Sequence, residues 1–151
     1  MDFKQRSEAE RRAIKACWDG LAAELLSTVN RWNERCDSAT RCVPGNPDAG
    51  NRFYVTGPDQ IEFGRGQQTR KATATVECEF NPEKREVTVE HGTWYMYDGG
   101  RTERGPGPIG VRYQIVVNSA SEASLQGTDG KLVSTEDAAY AILKPFLEPH
   151  K

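Results

Sequence analysis

Apolar residues change their spacing three times along this chain, and each change marks a change of element. Ile14, Trp18, Leu21, Leu25, Val29 and Trp32 recur at steps of three and four. That spacing predicts one apolar stripe on a helix of 3.6 residues per turn. Ser7 followed by Glu10 fits a capping box, so the helix is expected from about Glu8 to Arg35, with Gly20 inside it and in phase. The next stretch, Cys36 to Asn51, is rich in Pro, Gly, Asn and Asp and reads as a mobile loop of about residues 36–51.

From Phe53 the period becomes two. Phe53 and Val55 alternate with Tyr54 and Thr56, and Ile61 and Phe63 resume the alternation after Gly57-Pro58-Asp59. A hairpin pairing Val55 with Ile61 and Phe53 with Phe63 is expected. Thr69 to Phe80 gives the clearest strand, with Ala72, Ala74, Val76, Cys78 and Phe80 on one face and threonines and glutamates on the other. Its return, Arg85 to His91, follows the turn Asn81-Pro82-Glu83-Lys84. Matching faces places Cys78 opposite Val87, Val76 opposite Val89 and Ala74 opposite His91. Gly92 then reads as a bulge or bend before Thr93 to Tyr97. A Gly- and Pro-rich connection, about residues 98–110, is expected to be a second mobile loop. Alternation resumes from Val111 to Val117 and more briefly from Glu122 to Gln126.

The last change restores the helical period. Ser134 caps a helix whose apolar side is Ala139, Ile142, Leu143 and Phe146, with Pro145 near its end. The expected fold is one α+β domain over residues 1–151. A long N-terminal helix and a C-terminal helix cover one face of an antiparallel meander of five to seven strands.

Charge narrows the partners. Twenty Lys and Arg against 22 Asp and Glu leave a net charge of −2, with no basic run, so no nucleic-acid partner is expected. The charged start and the short apolar runs predict neither a signal peptide nor a membrane span, which makes the cytoplasm the expected compartment. The four cysteines are expected as reduced thiols there. Cys36 and Cys42 have five residues between them, unlike a zinc knuckle, and neither metal nor cofactor is expected.

Catalytic groups are few. His91 is the one central histidine, and the expected register sets it four residues, about 13 Å, from the level of Cys78, too far for a dyad. Glu77, Glu79, Glu86 and Glu90 read as a solvated outer face. Gly64-Arg65-Gly66 lacks the rest of a phosphate-binding fingerprint.

Two features point to binding instead. Arg101 and Arg104 beside Trp94, Tyr95 and Tyr97 suggest a surface of cations and aromatic rings. Trp18 and Trp32 lie on a helix long enough to outreach the sheet, leaving apolar surface for a protein partner or a homodimer. The sequence therefore predicts a non-enzymatic interaction domain of the adaptor or chaperone-like kind. The alternative is a small-ligand pocket or active site between sheet and helices, with His91 at its mouth.

Overall fold

The computed structural model describes residues 2–36, 41–45, 50–63, 69–105 and 109–147. The glycine pair Gly64 and Gly66 therefore lies outside the described residues. Helix α1 spans Phe3–Arg35. It starts earlier than the Ser7–Glu10 pattern suggests, because Asp2 and Gln5 form a capping box of their own. Asp2 Oδ1 accepts from the Gln5 N–H at 2.8 Å, and Gln5 Oε1 accepts from the Asp2 N–H at 3.3 Å. Nothing between them and Ile14 opposes a helix. The expected stripe is the buried face: Ile14, Trp18, Leu21, Leu25 and Val29. No described residue before Ile14 is buried, and Phe3 is 86% exposed. The surplus length is thus the N-terminal end, which is largely polar and carries Phe3 as its exposed large apolar residue.

The strands among the described residues are β1 (Val43–Pro44), β2 (Arg52–Phe63), β3 (Thr69–Asn81), β4 (Glu86–Tyr97), β5 (Thr102–Gly105), β6 (Ile109–Val117), β7 (Ala123–Gln126) and β8 (Leu132–Val133). They form one antiparallel sheet in the order β1-β2-β3-β4-β6-β7-β8, with β5 on β4, and the sheet curls into a half-barrel. Helix α2 (Thr135–Leu147) closes the chain, its start capped by Ser134 Oγ accepting from the Asp137 N–H at 3.1 Å. The two helices lie on one face and run parallel. α2 begins near Gly20, and its end shares a groove with Trp32 and Arg35. Among the described residues no helix is long and apolar enough to cross a membrane.

Three local readings are corrected by the strand registers. First, β2 is one strand and not a hairpin. Thr56 pairs with Thr75 and Asp59 with Thr73, so β2 spends three steps where β3 spends two. The extra residue is a bulge at Gly57-Pro58, a place where proline's missing N–H does no harm. It inverts the alternation, so Val55 is fully buried while Ile61 is 70% exposed.

Second, the β3–β4 hairpin is offset by two residues from the expected register. Cys78 pairs with Val89, Phe80 with Val87 and Val76 with His91. The turn is longer than assumed: Arg85 adopts a φ of 53°, and Asn81 Oδ1 accepts from the N–H groups of Glu83 and Lys84. A slip of two keeps every side chain on its face, so the core is unchanged.

Third, β4 passes through Gly92 without a break against β3. What changes at Gly92 is the partner on its other edge: β6 pairs with Glu86 to Glu90 and β5 with Thr93 to Met96. The connection after β4 is no long loop. A turn at Asp98-Gly99-Gly100, with φ of 98° and 89° at the two glycines, sends β5 back along the same edge. Residues 106–108 lie outside the described residues.

The core joins all layers. Trp18, Leu21, Leu25 and Val29 of α1 meet Val55, Val76, Cys78, Phe80, Val87, Tyr113, Ile115 and Leu125 of the sheet, with Ile142, Leu143 and Phe146 of α2.

Candidate functional site

The five residues singled out from the sequence fall in four separate places. Trp18 is fully buried. Its ring stacks on Phe80, and its indole N–H donates to the Gly50 carbonyl. It has no surface to offer a partner.

Trp94 and Arg104 share the sheet face that points away from the helices. They pair across β4 and β5, and Arg104 Cζ lies 5.9 Å from the centre of the Trp94 ring. Arg104 also reaches over Gly92 to Glu90, where the ion pair measures 2.7 Å. Trp94 and Met96 remain 41% and 46% exposed on this face.

Arg101 belongs to the opposite, helix-side face, with its Cζ 4.5 Å from the centre of the Tyr97 ring. There, with Tyr95 and Tyr97, it joins Arg70 and Glu62, whose place in the cluster the sequence reading did not include. Arg70 Cζ lies 3.9 Å above the Tyr95 ring, its Nε donates to Glu62 at 2.7 Å, and the Tyr97 hydroxyl donates to Glu103 at 3.1 Å. The sequence did carry a signal for this cluster. Arg70 occupies the face of β3 that Ala72, Ala74 and Val76 otherwise reserve for apolar groups. The expected surface of cations and rings is therefore split between two faces of the sheet, with Arg104 paired to Glu90 on one and Arg70 paired to Glu62 on the other.

Trp32 lies elsewhere again. The last turns of α1 and α2 enclose a groove of about 290 Å³. Buried Leu143 and Leu147 and half-buried Trp32 form its floor. Arg31, Arg35, Lys144 and the 62% exposed Tyr140 form its rim. No carboxylate among the described residues lines it. Arg31 is held by Glu24 at 3.6 Å. Cations at the ends of two parallel helices offset the negative ends of their dipoles, which accounts for Arg35 and Lys144. It does not account for the indole. Trp32 Nε1 is buried and, among the described residues, has no hydrogen-bond partner. A buried donor left unmade costs about 1–3 kcal/mol.

The chemistry weighed from the sequence is engaged otherwise. His91 Nε2 lies 2.8 Å from the Ile142 carbonyl, so its ring ties β4 to α2. Cys78 is nearer to it than expected, two residues away in register, but burial pushes the Cys78 thiol up to about 12. It stays protonated at neutral pH, and a thiol is no nucleophile. Glu77, Glu86 and Glu90 each pair with an arginine, Arg52, Arg112 and Arg104, at 2.7–3.1 Å. Among the described residues no group of His, Cys, Asp and Glu could hold a metal ion.

No protein-family model, curated protein or solved structure matches this chain. The reading of the groove rests on its own geometry.

Proposed function

We propose that this protein is a non-catalytic binding domain whose α1–α2 groove takes a carboxylate-bearing, partly apolar segment of a protein partner. One observation carries the reading: the orphaned indole N–H of Trp32 on an apolar floor ringed by three cations. A carboxylate entering the groove makes charge-assisted bonds with the cations of the rim, and it reaches the Trp32 N–H, buried in the free protein, only as the ring shifts to uncover it. Arg31, Arg35 and Lys144 favour that charge sign, and Leu143 and Leu147 receive neighbouring apolar side chains. The volume sits at the lower edge of the ~300–1,000 Å³ usual for small-molecule sites, which favours a segment lying across an open groove.

The alternative, a pocket between sheet and helices, has less support. Trp18, Leu25, Val76 and Val87 fill the middle of that space without exposed surface. At its edge, between Arg11, Ile14 and Lys15 of α1 and Phe80 and Arg85, lies a depression of about 620 Å³, and among the described residues its lining has no orphaned polar group. A homodimer through α1 has less support, because the end of that helix before Ile14 is largely polar, with Phe3 its exposed large apolar residue.

The test is a titration followed by ¹H–¹⁵N NMR of the indole N–H signals, with Trp32→Phe assigning the one from Trp32. The probe is a short acetylated peptide of leucines and glutamates, and its control carries glutamines instead. The Trp32 signal should move with the acidic peptide, and Arg35→Glu should abolish the movement. Equal response to both peptides, or none in a folded protein, refutes the reading.

A further inference from the structure

Asn33 binds two stretches of chain at once, and each carries a cysteine. Its backbone carbonyl accepts from the Cys36 N–H at 3.3 Å as α1 ends. Its side chain brackets Cys42: Nδ2 donates to the Cys42 carbonyl at 2.7 Å, and Oδ1 accepts from the Cys42 N–H at 2.7 Å. The chain therefore leaves α1 at Cys36 and returns to the same residue at Cys42. Cys36 is half-buried and Cys42 is 2% exposed, and both are free thiols.

From this geometry we infer that Cys36 and Cys42 are a redox-modification site, a dithiol that closes to an intramolecular disulfide by exchange with a low-molecular-weight disulfide. Cys36, the more accessible sulfur, attacks first. Its thiolate displaces one thiolate from the small disulfide and forms a mixed disulfide. The Cys42 thiolate then attacks the Cys36 sulfur and releases the second small thiolate. Two protein thiols are oxidised, one small disulfide is reduced to two thiols, and the two protons pass by way of solvent from the protein sulfurs to the released thiolates.

Burial, and after it the charge of Cys36, push the Cys42 thiol up to about 11. Once Cys36 is in the mixed disulfide its charge is gone, and one of the two causes that hold Cys42 protonated goes with it. The first step thus promotes the second. This site is independent of the groove reading, because its atoms are the thiols and the Asn33 clamp.

Oxidised glutathione is the probe. The protein is incubated with it, free thiols are alkylated, and a non-reducing tryptic map is taken. Cleavage after Arg35 and Arg41 puts the cysteines on peptides 36–41 and 42–52. The expected product is those two peptides joined, with the loss of two hydrogens, while Cys17 is recovered outside the joined peptides and the buried Cys78 is alkylated only after unfolding. Cys42→Ser should stop at a stable glutathione adduct on Cys36, and Cys36→Ser should give no joined peptide. A stable Cys36 adduct in the unaltered protein beside an alkylatable Cys42 overturns the inference. So does a Cys36 left unmodified by glutathione concentrations that oxidise a reference dithiol.

Discussion

The rings of Trp18 and Phe80 stack with centroids 5.6 Å apart and planes 14° apart, which joins the middle of α1 to the end of β3. Neither ring has more than 4% of its surface exposed. Trp18→Ala removes that contact and opens a cavity, so a loss of about 3–5 kcal/mol is expected in urea unfolding. Trp18→Phe keeps most of the packing and removes one of two donors to the Gly50 carbonyl, leaving Lys15 Nζ at 2.9 Å, so its loss should be smaller.

Trp32 should behave in the opposite way. Trp32→Phe removes a buried donor that has no partner while retaining an aromatic ring in the groove. A gain of about 1 kcal/mol in stability is expected, in line with the cost of such a group. The same change should weaken binding of the acidic peptide. Gain of stability with loss of binding is the usual relation at a site shaped for a ligand.

Asn33 supplies both hydrogen bonds to the backbone of Cys42. Asn33→Ala leaves a buried N–H and C=O without partners, and a loss of about 2 kcal/mol is expected. Asn33→Asp can restore only the bond from the Cys42 N–H and sets a carboxylate against the Cys42 carbonyl. It should therefore not rescue the alanine variant, and unfolding midpoints will show whether it does.

Two glycines near the fork in β4 should respond in opposite directions. A Cβ on Gly92 would meet nothing closer than Thr75 Oγ1 at 3.4 Å, so Gly92→Ala should be neutral or stabilising by up to about 1 kcal/mol. A Cβ on Gly105 would lie 2.7 Å from Tyr95 Cε2, and Arg70 holds that ring from above. Gly105→Ala should cost about 1–3 kcal/mol, the range for overpacking. Amide exchange along β5 should quicken with it.

Cys78 gives a test in alkaline solution. Its thiol is raised in the folded protein from 9.0 to about 12. Above pH 9 the unfolded chain loses this proton while the folded chain keeps it, so stability falls as pH rises. The contribution is complete below pH 9 and declines toward pH 12 by about 1.4 kcal/mol per pH unit. Cys78→Ala lacks this dependence. The stability difference between the two proteins should narrow from pH 9 upward, and a constant difference would contradict the assignment.

Much of this architecture was legible because a period of two or 3.6 records which side of an element is dry. The stripes from Ile14 to Val29 and from Ala139 to Phe146 marked the two helices, and the alternation from Ala72 to Phe80 marked the central strand. Alternation cannot count in steps of two, however, and so the β3–β4 offset escaped it. Arg85 at positive φ and the Asn81 side chain set that offset within the turn. The start of α1 escaped because Phe3 to Arg12 has no apolar rhythm and two capping patterns compete there. The groove at Trp32 was half legible. The tryptophan stood on the stripe, but its cationic rim comes from two helices that the sequence separates by more than a hundred residues.

The bulge at Gly57-Pro58 acts as a phase shifter for the strand beyond it. With it, Glu62 meets Arg70 on the helix side and Ile61 faces outward. Removing one residue there would exchange the two faces of β2 from Asp59 onward, turning a charged side chain out and an oily one in. A variant shortened by Pro58 alone would keep its composition almost intact yet present a different outer skin, with the arginine above Tyr95 stripped of its counter-ion.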